Sequence, residues 1–124
     1  MIDHVTIPVS DLVSSKSFYE KALTPFNYQI SFGEEGKFWA FDIGNGALFE
    51  ISQYKESAPL TSFHMAFRAN RREQVKQFYE AALAAGAKCN GAPGLRPQYT
   101  ETYYAAFIID PSGHNIEVVC HQPG

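Results

Sequence analysis

Two cysteines in 124 residues, Cys89 and Cys120, are too few for a disulfide framework. Two free thiols and a cytoplasmic setting are the expectation that follows. No apolar run approaches the roughly 20 residues that a membrane helix needs. The opening stretch MIDHVTIPVS has no basic segment ahead of an apolar one, so it does not read as a signal peptide. Basic residues are few, ten against thirteen acidic ones, and only Arg71 and Arg72 are adjacent. A chain of net charge -3 without a basic stripe is not expected to bind nucleic acid, and no membrane partner is expected either. Dinucleotide and phosphate-loop glycine patterns and the strained serine elbow of hydrolases are also absent. What is plentiful is apolar and aromatic: 45% hydrophobic and 15% aromatic, which is enough for a packed core.

The chain repeats itself. His4 is followed by Phe18-Tyr19-Glu20 and Ala22-Leu23, and His64 by Phe78-Tyr79-Glu80 and Ala82-Leu83 at the same spacing. Downstream, Asp42 and Gly46 precede Glu50 much as Asp110 and Gly113 precede Glu117. Each copy opens on an alternating strand, Ile2 to Val9 and then Phe63 to Ala69. A helix follows, with an apolar face at helical spacing, clearest at Val75, Phe78, Tyr79, Ala82 and Leu83. Asp11 or Ser10 is expected to cap the first helix, and Pro25 to end it. Asn70 with Glu73 suggests a capping box for the second, and Gly86 a stop. Strands return at about Tyr28 to Phe32, Phe38 to Ile43 and Ala47 to Ser52, then at Tyr103 to Asp110 and His114 to His121. The stretch between Lys88 and Thr102 holds Gly91, Pro93, Gly94 and Pro97 and reads mostly as loop. The expected fold is α+β: one domain over 1–124, made of two tandem βαβββ modules of about 1–56 and 60–124. Their strands would form a curved mixed sheet around a cleft.

Side chains alternate along a strand. Val5, Ile7, Val9, Phe49, Ile51, Phe63, Met65, Phe67, Ile116 and Val118 therefore take the helix side. His4, Glu50, His64 and Glu117 take the opposite face at equivalent places in the repeat, where pseudo-symmetry would bring them together. Two imidazoles and two carboxylates suit a divalent first-row metal, and two coordination positions would stay open. Proton competition would weaken such a site as pH falls toward the histidine range. The alternative is four polar residues on a solvent-facing surface.

These residues resemble the vicinal oxygen chelate superfamily, also called the glyoxalase/bleomycin resistance/dioxygenase family. The stretches that carry the resemblance are IDHVTIPVSDLVSSKSFYEKAL, ALFEI, SFHMAF and DPSGHNIEVV. The resemblance implies a divalent metal ion (zinc, nickel, manganese or iron) on His4, His64 and Glu117, with Glu50 as a fourth ligand. It implies a small-molecule substrate bound through adjacent oxygens, and a homodimer in which sites can be shared between chains. Glyoxalase-like chemistry would make Glu117 the catalytic base, in a lyase or isomerase. Nucleophile addition, as in fosfomycin resistance, fits nearly as well. The alternative is a bleomycin-resistance-type protein that sequesters a ligand without catalysis. Two positions depart from the glutathione-dependent glyoxalases: Pro8 stands where they carry arginine, and Tyr54 where they tend to carry asparagine. Both argue against glutathione. Extradiol dioxygenases of the family are usually about twice this length, which argues against that activity.

Five further residues are candidates for substrate binding. Arg96, Tyr99 and Tyr103 lie in the long segment 91–104, which forms either a rim over the site or a packed loop. Arg68 shares the face of His64 and either binds an anion or pairs with a carboxylate at the sheet edge. Trp39 lines the pocket or belongs to the core. Cys120 falls on the buried strand face, and His114 is expected to be solvated at a turn.

Overall fold

A computed structural model describes residues 2–54 and 64–124. The order of elements is β1 (His4–Val9), α1 (Leu12–Ala22), a 3-10 turn (Thr24–Phe26), β2 (Gln29–Glu34), β3 (Phe38–Asp42), β4 (Leu48–Gln53), β5 (His64–Arg68), α2 (Arg72–Ala84), β6 (Lys88–Leu95), β7 (Tyr104–Ile109) and β8 (Asn115–Cys120). This is the α+β pair of βαβββ modules expected from the repeat. The expected module junction and Phe63 lie outside the described residues. No helix among the described residues is long and apolar enough to cross a membrane.

The strands form two four-stranded mixed sheets of identical topology, β1-β4-β3-β2 and β5-β8-β7-β6. In each sheet the first strand runs parallel to the last, as a strand-helix-strand crossover requires, and the other pairings are antiparallel. The register repeats as well. Thr6 pairs with Glu50 as Ala66 pairs with Glu117, so each histidine stands two residues before its glutamate's partner.

Local chemistry explains the helices. Asp11 caps α1, accepting from the Ser14 amide at 3.3 Å and the Ser14 hydroxyl at 3.0 Å. Leu12, Ser15, Phe18, Tyr19 and Ala22 then form its buried face. The start of α2 differs from the expected Asn70–Glu73 box. Arg71 is the N-cap, and Gln74 Oε1 accepts from the backbone amides of Asn70 and Arg71 at 2.9 and 3.3 Å. Glutamine at this position reaches back as a glutamate would, so the box forms one residue later. Gly86 stops α2 with a φ of +108°, a conformation that side chains disfavour.

The segment expected to be mostly loop contains β6. Pro93 sits in it because β6 is the outer strand of its sheet, where a missing amide hydrogen interrupts nothing central. Register shifts around Gly91 absorb the irregular pairing with β7.

One hydrophobic core joins both modules through their helix-facing residues. Phe49 meets Phe67 at 5.2 Å between ring centroids, and Phe26 meets Phe78 at 5.9 Å. Polar pins close one seam between the modules. Tyr19 of α1 donates its hydroxyl to Asp110 at 2.6 Å, while the other Asp110 oxygen accepts from the amides of Ser112 and His114 at 2.9 Å each. His114, expected to be solvated, is instead buried, with Nε2 bonded to the Pro8 carbonyl. The turn that holds it packs against the end of β1, where the Ser10 amide meets the Ser112 hydroxyl at 2.9 Å. Burial and the Asp110 charge push the Tyr19 phenol well above its ordinary pKa. Tyr19→Phe leaves a buried carboxylate oxygen short of a donor, and should lower stability by about 1–3 kcal/mol in a denaturant titration. A loss within experimental error would remove Tyr19–Asp110 as a pin between the modules.

Candidate active site

The second module places Glu117 on the sheet face away from the helices, yet its side chain is only 5% exposed. Neighbouring strands account for that. Phe107 pairs directly with Glu117 across β7 and β8, and the Phe107 ring stacks on His64 at 6.1 Å. Glu117 Oε1 lies 2.8 Å from His64 Nε2, and Oε2 accepts from the Tyr103 hydroxyl. Burial, then the Glu117 bond and charge, push the Tyr103 phenol up to about 12, so it remains a donor at neutral pH. The Tyr99 ring packs on Tyr103 at 5.0 Å, and His121 meets Tyr103 edge-on at 5.3 Å.

His64 Nδ1 lies 3.0 Å from the carbonyl oxygen of Asn115, which can only accept, so Nδ1 carries the hydrogen. Nε2 of the neutral ring therefore holds the lone pair. Its contact with Glu117 needs one more proton, and a cation can take that proton's place. This is the donor chemistry of a metal-ligating histidine with its other nitrogen tied to a carbonyl.

The first module carries the equivalent pair more openly. His4 Nδ1 bonds Asp3 at 2.8 Å, and Thr6 donates to Glu50 at 3.4 Å. The Asp3 hydrogen bond, helped by the charges of Glu50 and Asp3, raises the His4 pKa. Glu50 lines a cleft of about 260 Å³ with Thr6, Lys37 and Phe38.

The four residues were expected to come together, either within one chain or across the two chains of a homodimer. Among the described residues, no three His, Cys, Asp or Glu side chains come close enough to hold a metal. The reason is the shared core: the modules join through their helix sides, so the faces carrying His4–Glu50 and His64–Glu117 belong to two separate sheets. Each sheet carries one His–Glu pair.

Of the substrate-binding candidates, Tyr103 is brought to Glu117, Tyr99 packs on Tyr103 from a largely exposed position, and Arg96 reaches the margin of the Phe107 ring. The Arg96 guanidinium lies over Phe107 at 5.5 Å, but its fork is engaged by the carbonyls of Gly94 at 2.7 Å and Ala92 at 2.8 Å. It clasps its own strand, which leaves fewer donors for an anion than a free arginine offers. Arg68 lies further along β5 from His64, at a cavity of about 510 Å³ with Met65, Phe67 and Val5. It makes no ion pair among the described residues. Trp39 is on the other side of its sheet, because it pairs with Ile51 and alternates with Ala40, the partner of Glu50. Gly33 lies against its ring and Lys16 covers it at 4.7 Å, so it packs, partly buried, against the core on the side away from Glu50. Sequence reasoning missed Phe107 as the wall behind His64. Its direct pairing with Glu117 was readable only once the β7–β8 register was known.

A sequence model of the Glyoxalase/Bleomycin resistance protein/Dioxygenase superfamily matches residues 1–118. No curated protein matches the sequence. Among solved structures, a glyoxalase/bleomycin resistance protein from Albidiferax ferrireducens is 27% identical with a TM-score of 0.84, covering 97% of this chain and 98% of its own. Lactoylglutathione lyase from Agrobacterium tumefaciens shares the fold at 17% identity and a TM-score of 0.72, covering 97% and 92%. So does a mutant of the fosfomycin resistance protein FosX from Listeria monocytogenes, in complex with Mn(II) and dihydroxypropylphosphonic acid, at 23% identity and a TM-score of 0.70, covering 96% and 88%. Tandem modules of one register, the His–Glu pairs at equivalent places and the near-complete match lead to one assignment: the chain belongs to the Glyoxalase/Bleomycin resistance protein/Dioxygenase superfamily.

Proposed function

We propose that the protein is a divalent-metal-dependent lyase or isomerase of the vicinal oxygen chelate type, acting on a small oxygen-rich substrate without glutathione. The observation that carries this reading is Glu117, a buried carboxylate on the sheet face away from the helices, held between His64 and Tyr103. Taking a carboxylate out of water is costly unless partners compensate, and sites of chemistry are where such arrangements concentrate. His4, Glu50, His64 and Glu117 would hold the ion, which when bound would polarise substrate oxygens as a Lewis acid. The Mn(II) in the FosX complex supports a divalent ion.

Glu117 does the proton chemistry. Once His64 Nε2 is engaged elsewhere, Oε1 is free to accept a proton from the carbon beside a substrate carbonyl and return it to the neighbouring carbon. Tyr103 holds Oε2, so the free oxygen keeps its orientation. Phe107 and Tyr99 wall the face and limit water. Pro8 offers no side-chain donor for glutathione, and its carbonyl is already bonded to His114.

Because one chain offers two half-sets, the working unit is a homodimer, with His4 and Glu50 of one copy opposite His64 and Glu117 of the other. Mixing tests this directly. His4→Ala and His64→Ala should each lose the metal. Co-refolded together, they should regain about a quarter of the wild-type metal content, since half of the dimers are mixed and each mixed dimer rebuilds one of two sites. No recovery on mixing would place the site within one chain. Wild-type protein that takes up no divalent metal would overturn the enzyme reading in favour of sequestration.

A further inference from the structure

The strongest concentration of positive charge in this acidic chain lies away from the Glu117 face. Arg71, Arg72 and Lys76, at the start of α2, line a cavity of about 590 Å³ together with Asn70, Glu73 and Tyr104. None of the three cations makes an ion pair among the described residues. Arg72 lies with its guanidinium over the Tyr104 ring at 5.0 Å, and its Nε is buried without a hydrogen-bond partner. Because that Nε is closed off from solvent, it is the ends of the guanidinium fork that a ligand in the cavity would meet. Helix α2 adds a second source of positive potential at the same place. Gln74 takes the amides of Asn70 and Arg71, but no acceptor meets the first-turn amides of Arg72 and Glu73 among the described residues.

We propose that this cavity is a second ligand site, specific for a phosphate group carried on a small organic molecule. The Arg72 fork, stacked and therefore pre-oriented, supplies planar donors, Arg71 and Lys76 supply charge, and the first turn of α2 supplies backbone N–H groups. Among the lining side chains Glu73 is the one carboxylate against three cations, and Gln122, Pro123 and Gly124 complete the lining. The volume exceeds what inorganic phosphate needs and falls in the usual range for small-ligand pockets. The site is independent of the metal-ligand faces, because Tyr104 lies on the helix-facing side of β7 while Tyr103, next to it, turns to Glu117.

The test is a backbone-amide NMR titration of the full chain with phenyl phosphate, inorganic phosphate, acetate and, at matched ionic strength, sodium chloride. Saturable shifts centred on Arg72 and Glu73 are expected with both phosphates, tighter for phenyl phosphate, and weak or none with acetate or chloride. Arg71→Gln and Lys76→Gln, both at exposed positions, should each weaken binding several-fold. Arg72→Met keeps the stem on Tyr104 and should weaken it about tenfold or more. Glu117→Gln should leave it unchanged. Equal shifts with chloride, shifts centred on His64 and Glu117, or affinity unaltered by the three cation variants would each overturn the proposal.

Discussion

Replacing Glu117 with glutamine is expected to lower turnover by about 100- to 10,000-fold, the usual range for a lost general base. Glutamine keeps the shape of the side chain and can still accept from Tyr103, so the fold should persist and thermal unfolding should move little. The amide cannot take a proton at neutral pH. The measurement is solvent deuterium wash-in at the carbon beside the carbonyl of small α-hydroxy carbonyl compounds, with Tyr103→Phe as a companion. Loss of the Tyr103 hydroxyl frees Oε2 and should slow exchange by a smaller factor, because orientation is disturbed while the base is retained. Glu117→Gln with wild-type exchange would end the general-base role, whatever metal is bound.

Replacing Phe49 with alanine should cost about 3–5 kcal/mol, the range for a buried phenylalanine. Phe49 is fully buried, and its ring meets Tyr19 at 5.0 Å, Phe41 at 6.2 Å and Phe67 at 5.2 Å. The last contact crosses from the first sheet to the second, so the cavity would open between the modules, where little can collapse to fill it. For a chain of this size, such a loss is a large share of total stability. The check is the denaturant midpoint at constant slope. A cost below about 1 kcal/mol would mean that the modules do not depend on this ring for their packing.

Alternation and helical spacing are local properties of the backbone, so they can be read without a structure. That is why the tandem modules, the buried faces of α1 and α2 and the side of each strand that carries His4, Glu50, His64 and Glu117 were all legible. Asp110 was visible as part of a motif, but its use was not. Its bonds to Tyr19, Ser112 and His114 join segments up to 91 residues apart. The engagement of Arg96 was missed for a different reason: its carbonyl partners are only two and four residues away, but the irregular course of β6 that turns them toward its fork carries no periodicity.

The sequence by itself determined two modules and two equivalent His–Glu pairs, each on a known face. Only the tertiary structure decided that those pairs stay apart within a chain. A module buries its apolar side wherever it finds another, and here the two helix sides meet in one core, leaving each His–Glu pair on its own sheet. The repeat specifies which residues are equivalent. Their distance depends on how the modules dock, and docking is set by side-chain packing between residues far apart in the chain.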